Sequence, residues 1–102
     1  MKNSILVHKP IDDVGVAVAD LKTGDEVGVV TLEGESAGQI KLINDVPLGH
    51  KVAMRDLALE KHIIEYGREI GYALAPIKKG EHVHIHNIRS LRWAGASLTI
   101  EK

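Results

Sequence analysis

Turn-forming residues recur so often along this chain that no stretch between them has room for a long helix. Lys22-Thr23-Gly24-Asp25, Glu33-Gly34-Glu35-Ser36-Ala37-Gly38, Pro47-Leu48-Gly49 and Lys78-Lys79-Gly80-Glu81 divide it into short apolar runs. Gly and Pro in such clusters favour tight reversals of the backbone. The runs are rich in β-branched residues and extend over seven residues or fewer, which is the signature of strands. They are Ile5 to Val7, Val14 to Ala19, Glu26 to Thr31, Gln39 to Ile43, Lys51 to Met54, His62 to Tyr66, Tyr72 to Leu74 and His82 to Ile88. Apolar spacing near 3.6 is not sustained over any long window, and only Arg55 to Lys61 suits a helical turn or two. The expected fold is mostly β, compact and built of short strands.

At 102 residues the chain is expected to form one domain, with residues 93–102 as a C-terminal tail. A chain of this size buries about 65% of its unfolded surface, enough for a core without disulfide or metal staples. Hydrophobic residues at 44% and charged residues at 26% exclude a disordered polypeptide. Zero Phe and one Trp leave that core to Val, Ile, Leu and Ala. The net charge of −1 provides no electrostatic footprint for nucleic acid. Absence of Cys excludes a disulfide framework, a thiolate metal site and a Cys nucleophile, and fits a reducing compartment. The apolar run Ile5-Leu6-Val7 is too short for a signal peptide, and no segment approaches the roughly 18 apolar residues of a membrane span. These features together lead to the expectation of a cytoplasmic domain.

A weak internal repeat accompanies the turns. Ala19 to Val27, Arg55 to Ile63 and Ala75 to Val83 each carry an aliphatic anchor, a two-residue spacer, a Gly or Glu, and re-entry into a strand. The offsets of 36 and 20 residues are unequal, which excludes a solenoid. A turn preferring positive φ explains the Gly, and similar hairpin turns in a small β domain would produce the same pattern.

The six His are where chemistry is sought, because full protonation would carry the formal charge from −1 to +5. Three stand together in Gly80-Glu81-His82-Val83-His84-Ile85-His86-Asn87. On a continuous strand His82, His84 and His86 share one face, while Val83 and Ile85 point into the core. Adjacent same-face residues are about 6.6 Å apart, so two imidazoles can close on one ion. His82 to His86 is about 13 Å, beyond reach of one ion unless a bulge bends the chain. The spacing therefore allows one pair supplemented from elsewhere and not a self-contained three-His site, set against a merely solvated His face. His50 follows the Pro47-Leu48-Gly49 turn, a position that presents a side chain to a cleft or to solvent. Lys51 and Arg55 are either surface charges or clamps for a carboxylate. His8 and His62 have no such context. A Gly-rich phosphate cradle and a nucleophile elbow are both missing, and the pairs Asp12-Asp13 and Asp25-Glu26 read as solvated turn faces. So incomplete a set of catalytic devices suggests a partner that supplies the remainder.

Three phrases in order carry a resemblance: Pro47-Leu48-Gly49-His50-Lys51-Val52-Ala53, Glu65-Tyr66-Gly67-Arg68-Glu69-Ile70-Gly71-Tyr72-Ala73, and Gly80-Glu81-His82-Val83-His84-Ile85-His86-Asn87. The chain resembles the SAF (β-clip) domain of the altronate and galactarate dehydratases and the separate small subunit of sulfolactate sulfo-lyase. The similarity extends from about Leu6 to Trp93. It implies a compact β-clip domain and a role as one half of a sugar-acid lyase. In such dehydratases a base removes the proton next to the carboxylate, a divalent metal holds the enediolate and the β-hydroxyl departs; the sulfo-lyase expels sulfite.

The resemblance implies a large catalytic subunit as partner, a small hydroxy-acid substrate, and Fe, Mn or Mg in the assembled enzyme. Self-association is left open, and neither nucleic acid nor membrane is expected as a partner. His50, His84 and His86 match the family phrases and are the candidates for catalysis, with His84 and His86 also for metal. Lys51, Arg55 and Asn87 are the candidates for substrate binding. The large domain would begin near Ala94, where this sequence ends soon after, an expectation of a free subunit. The competing reading is a non-catalytic binding or assembly module of the β-clip type. A free-standing metal-binding protein is the third, and the spacing of the His run favours it least.

Overall fold

Each run expected as a strand overlaps a strand of the computed structural model, which describes residues 1–90. The strands are β1 (Asn3–Val7), β2 (Val14–Ala17), β3 (Glu26–Thr31), β4 (Ser36–Lys41), β5 (Lys51–Ala53), β6 (His62–Glu65), β7 (Arg68–Ala73), β8 (His82–Val83) and β9 (Ile88–Ser90). Six form one sheet in the order β4-β3-β1-β2-β5-β8, and three form a second in the order β6-β7-β9. All neighbours run antiparallel except β1 and β3, which are parallel. The expected tail from Trp93 onward lies outside the described residues.

The aliphatic core forms two clusters, one around Ile5, Val29, Leu42 and Val52, the other around Ala53, Leu57, Ile63, Ile77 and Val83. Consecutive side chains of a strand point to opposite faces. Val52 and Ala53 on β5 therefore serve different clusters, and both are fully buried. β2 does the same with Ala17 and Val14. These central strands are covered on both sides, which makes them rigid supports for whatever their ends carry. Burial of a Val, Leu or Ile side chain stabilises by about 1.5–3 kcal/mol, so this core needs no aromatic ring.

The repeat has four members rather than three. Residues 44–52, with Asp45, Val46 and Gly49, form the copy that the sequence reading missed. The copies work in pairs. Leu21 and Val46 exchange backbone hydrogen bonds of 2.9 Å each, and Leu57 and Ile77 do so at 2.7 and 2.8 Å. Asp side chains fasten three of the four partner turns: Asp20 accepts from the Leu48 amide, Asp45 from the Thr23 amide and Asp56 from the Lys79 amide. The segment Arg55 to Lys61, expected to offer a helical turn, belongs to this system and is not helical. Leu57 bridges to Ile77, and the Glu60 amide donates to the Ala73 carbonyl on β7, so partners elsewhere in the chain satisfy amides that a helix would satisfy internally.

Two further expectations are corrected. Residues 82–88 are not one strand: β8 ends at Val83, and His84 to Asn87 form a turn closed by Asn87 and Ile88 amides donating to the His84 carbonyl at 3.1 and 3.2 Å. Ile85 consequently points outward and is 81% exposed instead of joining the core. Asp12 and Asp13 are buried, not solvated. The Asp12 carboxylate accepts from the His8 and Lys9 amides, while that of Asp13 accepts from the Ile64 amide at 2.8 Å and Lys61 Nζ at 3.1 Å.

Candidate functional site

β5 and β8 are adjacent at one edge of the large sheet, with Lys51 opposite Val83 and Val52 opposite His82. One step further along this antiparallel register brings His50 against His84, and their rings stack with centroids 4.2 Å apart. His82 completes the group. Its Nε2 lies 2.9 Å from His50 Nδ1, so the two rings share one proton, one nitrogen donating and the other accepting. Each of the three offers a ring nitrogen, and these all lie within 4.8 Å of one another. The cluster thus joins a pair from the His run to one residue from a distant turn.

The backbone around the cluster is fixed by amide side chains. Asn44 Oδ1 accepts from the His82 amide at 2.9 Å. Buried Asn87 does double duty, its Oδ1 accepting from the His84 amide at 2.9 Å and its Nδ2 donating to the His82 carbonyl at 2.8 Å. On the other strand the Ala17 amide donates to the His50 carbonyl, and the His50 amide donates to that of Pro47. Burial and the neighbouring imidazoles push His82 below the ordinary imidazole value. His84 moves the same way through desolvation first, then His50, His86 and Lys51. Both shifts favour neutral rings, the form that accepts a proton or ligates a cation.

The remaining candidates fall into different places. His86 is outside the three-nitrogen group; its ring lies 5.2 Å from that of His82 because the turn folds it back. His82, which sequence reasoning passed over in favour of His86, takes the place expected of it. The signal was available, since His82 follows the Gly80 turn two residues on, as His50 follows Gly49 directly. Lys51 stands beside His50, with Nζ 3.9 Å from the Glu65 carboxylate. Arg55 is engaged elsewhere, donating to the carbonyls of Pro10, Ile11 and Asp12 and lying 3.7 Å from Asp13. It holds the β1–β2 connection rather than a free carboxylate site. Asn87, expected to bind substrate, has both ends of its amide occupied by backbone and serves to position the His turn. His62 pairs with Glu69 at 3.0 Å, and His8 packs edge-on against Tyr66. An apolar concavity is lined by Thr23, Gly24, Gln39, Lys41, Leu42, Ile43 and Lys79. It has no histidine in its wall and none of the chemistry of the cluster.

A mostly-β domain with three imidazoles gathered at one edge of its larger sheet is a candidate site-bearing module. Comparison with known proteins gives the module its family. The chain belongs to the altronate/galactarate dehydratase SAF domain family, whose model matches residues 2–91. It is 35% identical over 94 residues to the (2R)-sulfolactate sulfo-lyase subunit alpha of Chromohalobacter salexigens, covering 91% of this chain and 100% of that protein. It is 46% identical over 86 residues to the altronate dehydratase of Escherichia coli, covering 84% of this chain and 16% of that enzyme. The altronate dehydratase of Bacillus subtilis is 32% identical over 90 residues, covering 88% of this chain and 17% of that enzyme. The chain therefore spans about a sixth of these dehydratases.

Proposed function

We propose that the chain is the small SAF-domain subunit of a lyase that eliminates water, or sulfite, from a hydroxy carboxylate, working with a separate large catalytic chain. The observation that carries this reading is its similarity, along that protein's whole length, to a lyase component named as a subunit. The open position of the cluster agrees with it. Small-molecule sites bury most of their ligand, so an imidazole group on an accessible sheet edge needs a second surface opposite it. Ile85, exposed between His84 and His86, offers an apolar contact for that surface.

Elimination requires one group to take the proton next to the carboxylate and another to protonate the departing hydroxyl. Exposed His84, held toward its neutral form, is suited to the first task. The hydrogen-bonded His50–His82 pair already holds a proton between two rings and is suited to the second. Lys51 contributes positive charge beside them for a substrate carboxylate. The same three residues, His50, His82 and His84, are the donor set on this chain that fits a divalent ion; bound there, it would take the place of these proton-transfer roles and supply stabilisation of the negative charge of an enediolate.

The test is turnover by the assembled two-chain enzyme. His50→Ala and His84→Ala are each expected to lower kcat/KM at least tenfold, with subunit affinity unchanged and His62→Ala within twofold of the parent. Unchanged turnover in both His variants would remove the catalytic role. The exposure of His84 and His86 favours a second reading, a docking module with a solvated His face. In that case the variants would alter assembly alone.

A further inference from the structure

We infer that this chain by itself holds one divalent first-row transition ion between His50, His82 and His84, and that it selects ions such as Zn²⁺, Co²⁺ or Ni²⁺ over Mg²⁺. The three ring nitrogens lie within 4.8 Å of one another. Tetrahedral ligation at about 2.0–2.1 Å places imidazole nitrogens about 3.3 Å apart. The closest pair, at 2.9 Å, opens by a few tenths of an ångström, and the widest closes by at most about 1.5 Å. Rotation about the side-chain bonds covers both movements without shifting the backbone. Binding replaces the shared proton of the His50–His82 pair. The donor ring passes that proton to its other nitrogen through water, becoming a ligand with no change in its charge.

The surrounding structure prepares the residues for this role. Asn44 and Asn87 hold the amides of His82 and His84, and Asn87 also holds the His82 carbonyl. Two of the three donors thus sit on backbone that is fixed before any ligand arrives, the outer-shell support that sets affinity in metal sites. The donor type decides the ion. Neutral imidazole suits Zn, Co, Ni, Cu and Fe, whereas Mg²⁺ takes oxygen ligands and keeps its waters. No carboxylate joins the three His as a ligand in the group found among the described residues. Three protein donors leave a coordination position open, the composition of a catalytic rather than a closed structural centre. His82 belongs to the set and His86 does not, which separates this site from one read off the alternation of the His run.

The inference needs no large subunit, so its test is independent of the lyase reading. Metal-free, untagged full-length chain is titrated with Co²⁺ followed by visible absorption, and with Zn²⁺ and Mg²⁺ by calorimetry. The expected result is one Co²⁺ or Zn²⁺ per chain, with the intense visible bands of low-coordinate cobalt. His50→Ala, His82→Ala and His84→Ala should each weaken binding at least tenfold, and His86→Ala and His62→Ala less than threefold. A hundredfold excess of Mg²⁺ should not displace cobalt. Matching circular dichroism and melting of the metal-free variants separates ligand loss from misfolding, and a variant that fails this check is replaced by the Gln substitution at the same position. Sub-stoichiometric binding, binding that survives all three substitutions, dependence on His86 in place of His82, or displacement by Mg²⁺ would each overturn the assignment.

Discussion

Glu65 is buried on β6, where its carboxyl is pushed above the ordinary value of 4.5 by desolvation, with Lys51 opposing the shift and Asp12 adding to it. A carboxyl whose folded value is raised binds its proton more tightly in the native state than in the unfolded one. Stability is then greatest below about 4.5 and declines as pH rises through the folded value, with the full cost present above that value. Glu65→Gln is expected to raise the melting temperature at pH 7, with the difference from the parent narrowing toward pH 4; a lower melting temperature at pH 7 would show that the Lys51 contact outweighs burial. The same neighbourhood shows why single residues were hard to read. Asp13 looks like a turn carboxylate in sequence, yet its partners Lys61 and Ile64 lie 48 and 51 positions away. Nothing local distinguishes a solvated acid from one satisfied at that distance. Arg55 misled for the same reason, its carbonyl partners being 43 to 45 residues upstream.

At the scale of elements, strand composition and Gly-marked turns were legible because both are local, and they located eight of the nine strands to within a few residues, β9 being merged into the run His82 to Ile88. Pairing was not. The reciprocal bridges Leu21–Val46 and Leu57–Ile77 join copies of the turn unit that lie 25 and 20 positions apart, and the member containing Pro47-Leu48-Gly49 hid behind its Pro. The break after Val83 was also invisible, because His84-Ile85-His86 alternates like a strand while Asn87 makes it a turn. The unit carries its own test of backbone strain. Its turn residue has positive φ in all four copies: Gly24, Gly49, Gly80 and, against steric preference, Glu60 at 68°. Left-handed geometry costs a side-chain-bearing residue about 1–2 kcal/mol. Glu60→Gly should therefore stabilise the chain by about 0.5–1 kcal/mol in denaturant unfolding, the greater freedom of Gly in the unfolded state offsetting part of the relief. Gly80→Ala should destabilise it by more than about 2 kcal/mol, since strain is added to a Cβ that would meet the Lys41 carbonyl. Equal effects of the two changes would contradict this account of the turn.

For the molecule as a whole, two clusters on either side of β2 and β5 produce a rigid body whose edge carries the His group. The fold class and the site's main phrase were readable in sequence, since His50 and the His run are both conspicuous. Their convergence was not, because it depends on β5 pairing with β8 across residues 54–81, which supply two of the three strands of the second sheet. The half-built character of the site is the central claim, and reconstitution tests it most directly. The large lyase chain of the same organism is purified alone and its elimination of hydroxy carboxylates measured while this chain is added in increasing amounts. The account expects negligible turnover from either chain alone and activity that rises to a plateau at a fixed stoichiometry. Full activity from the large chain alone, unaltered by the addition, would contradict it.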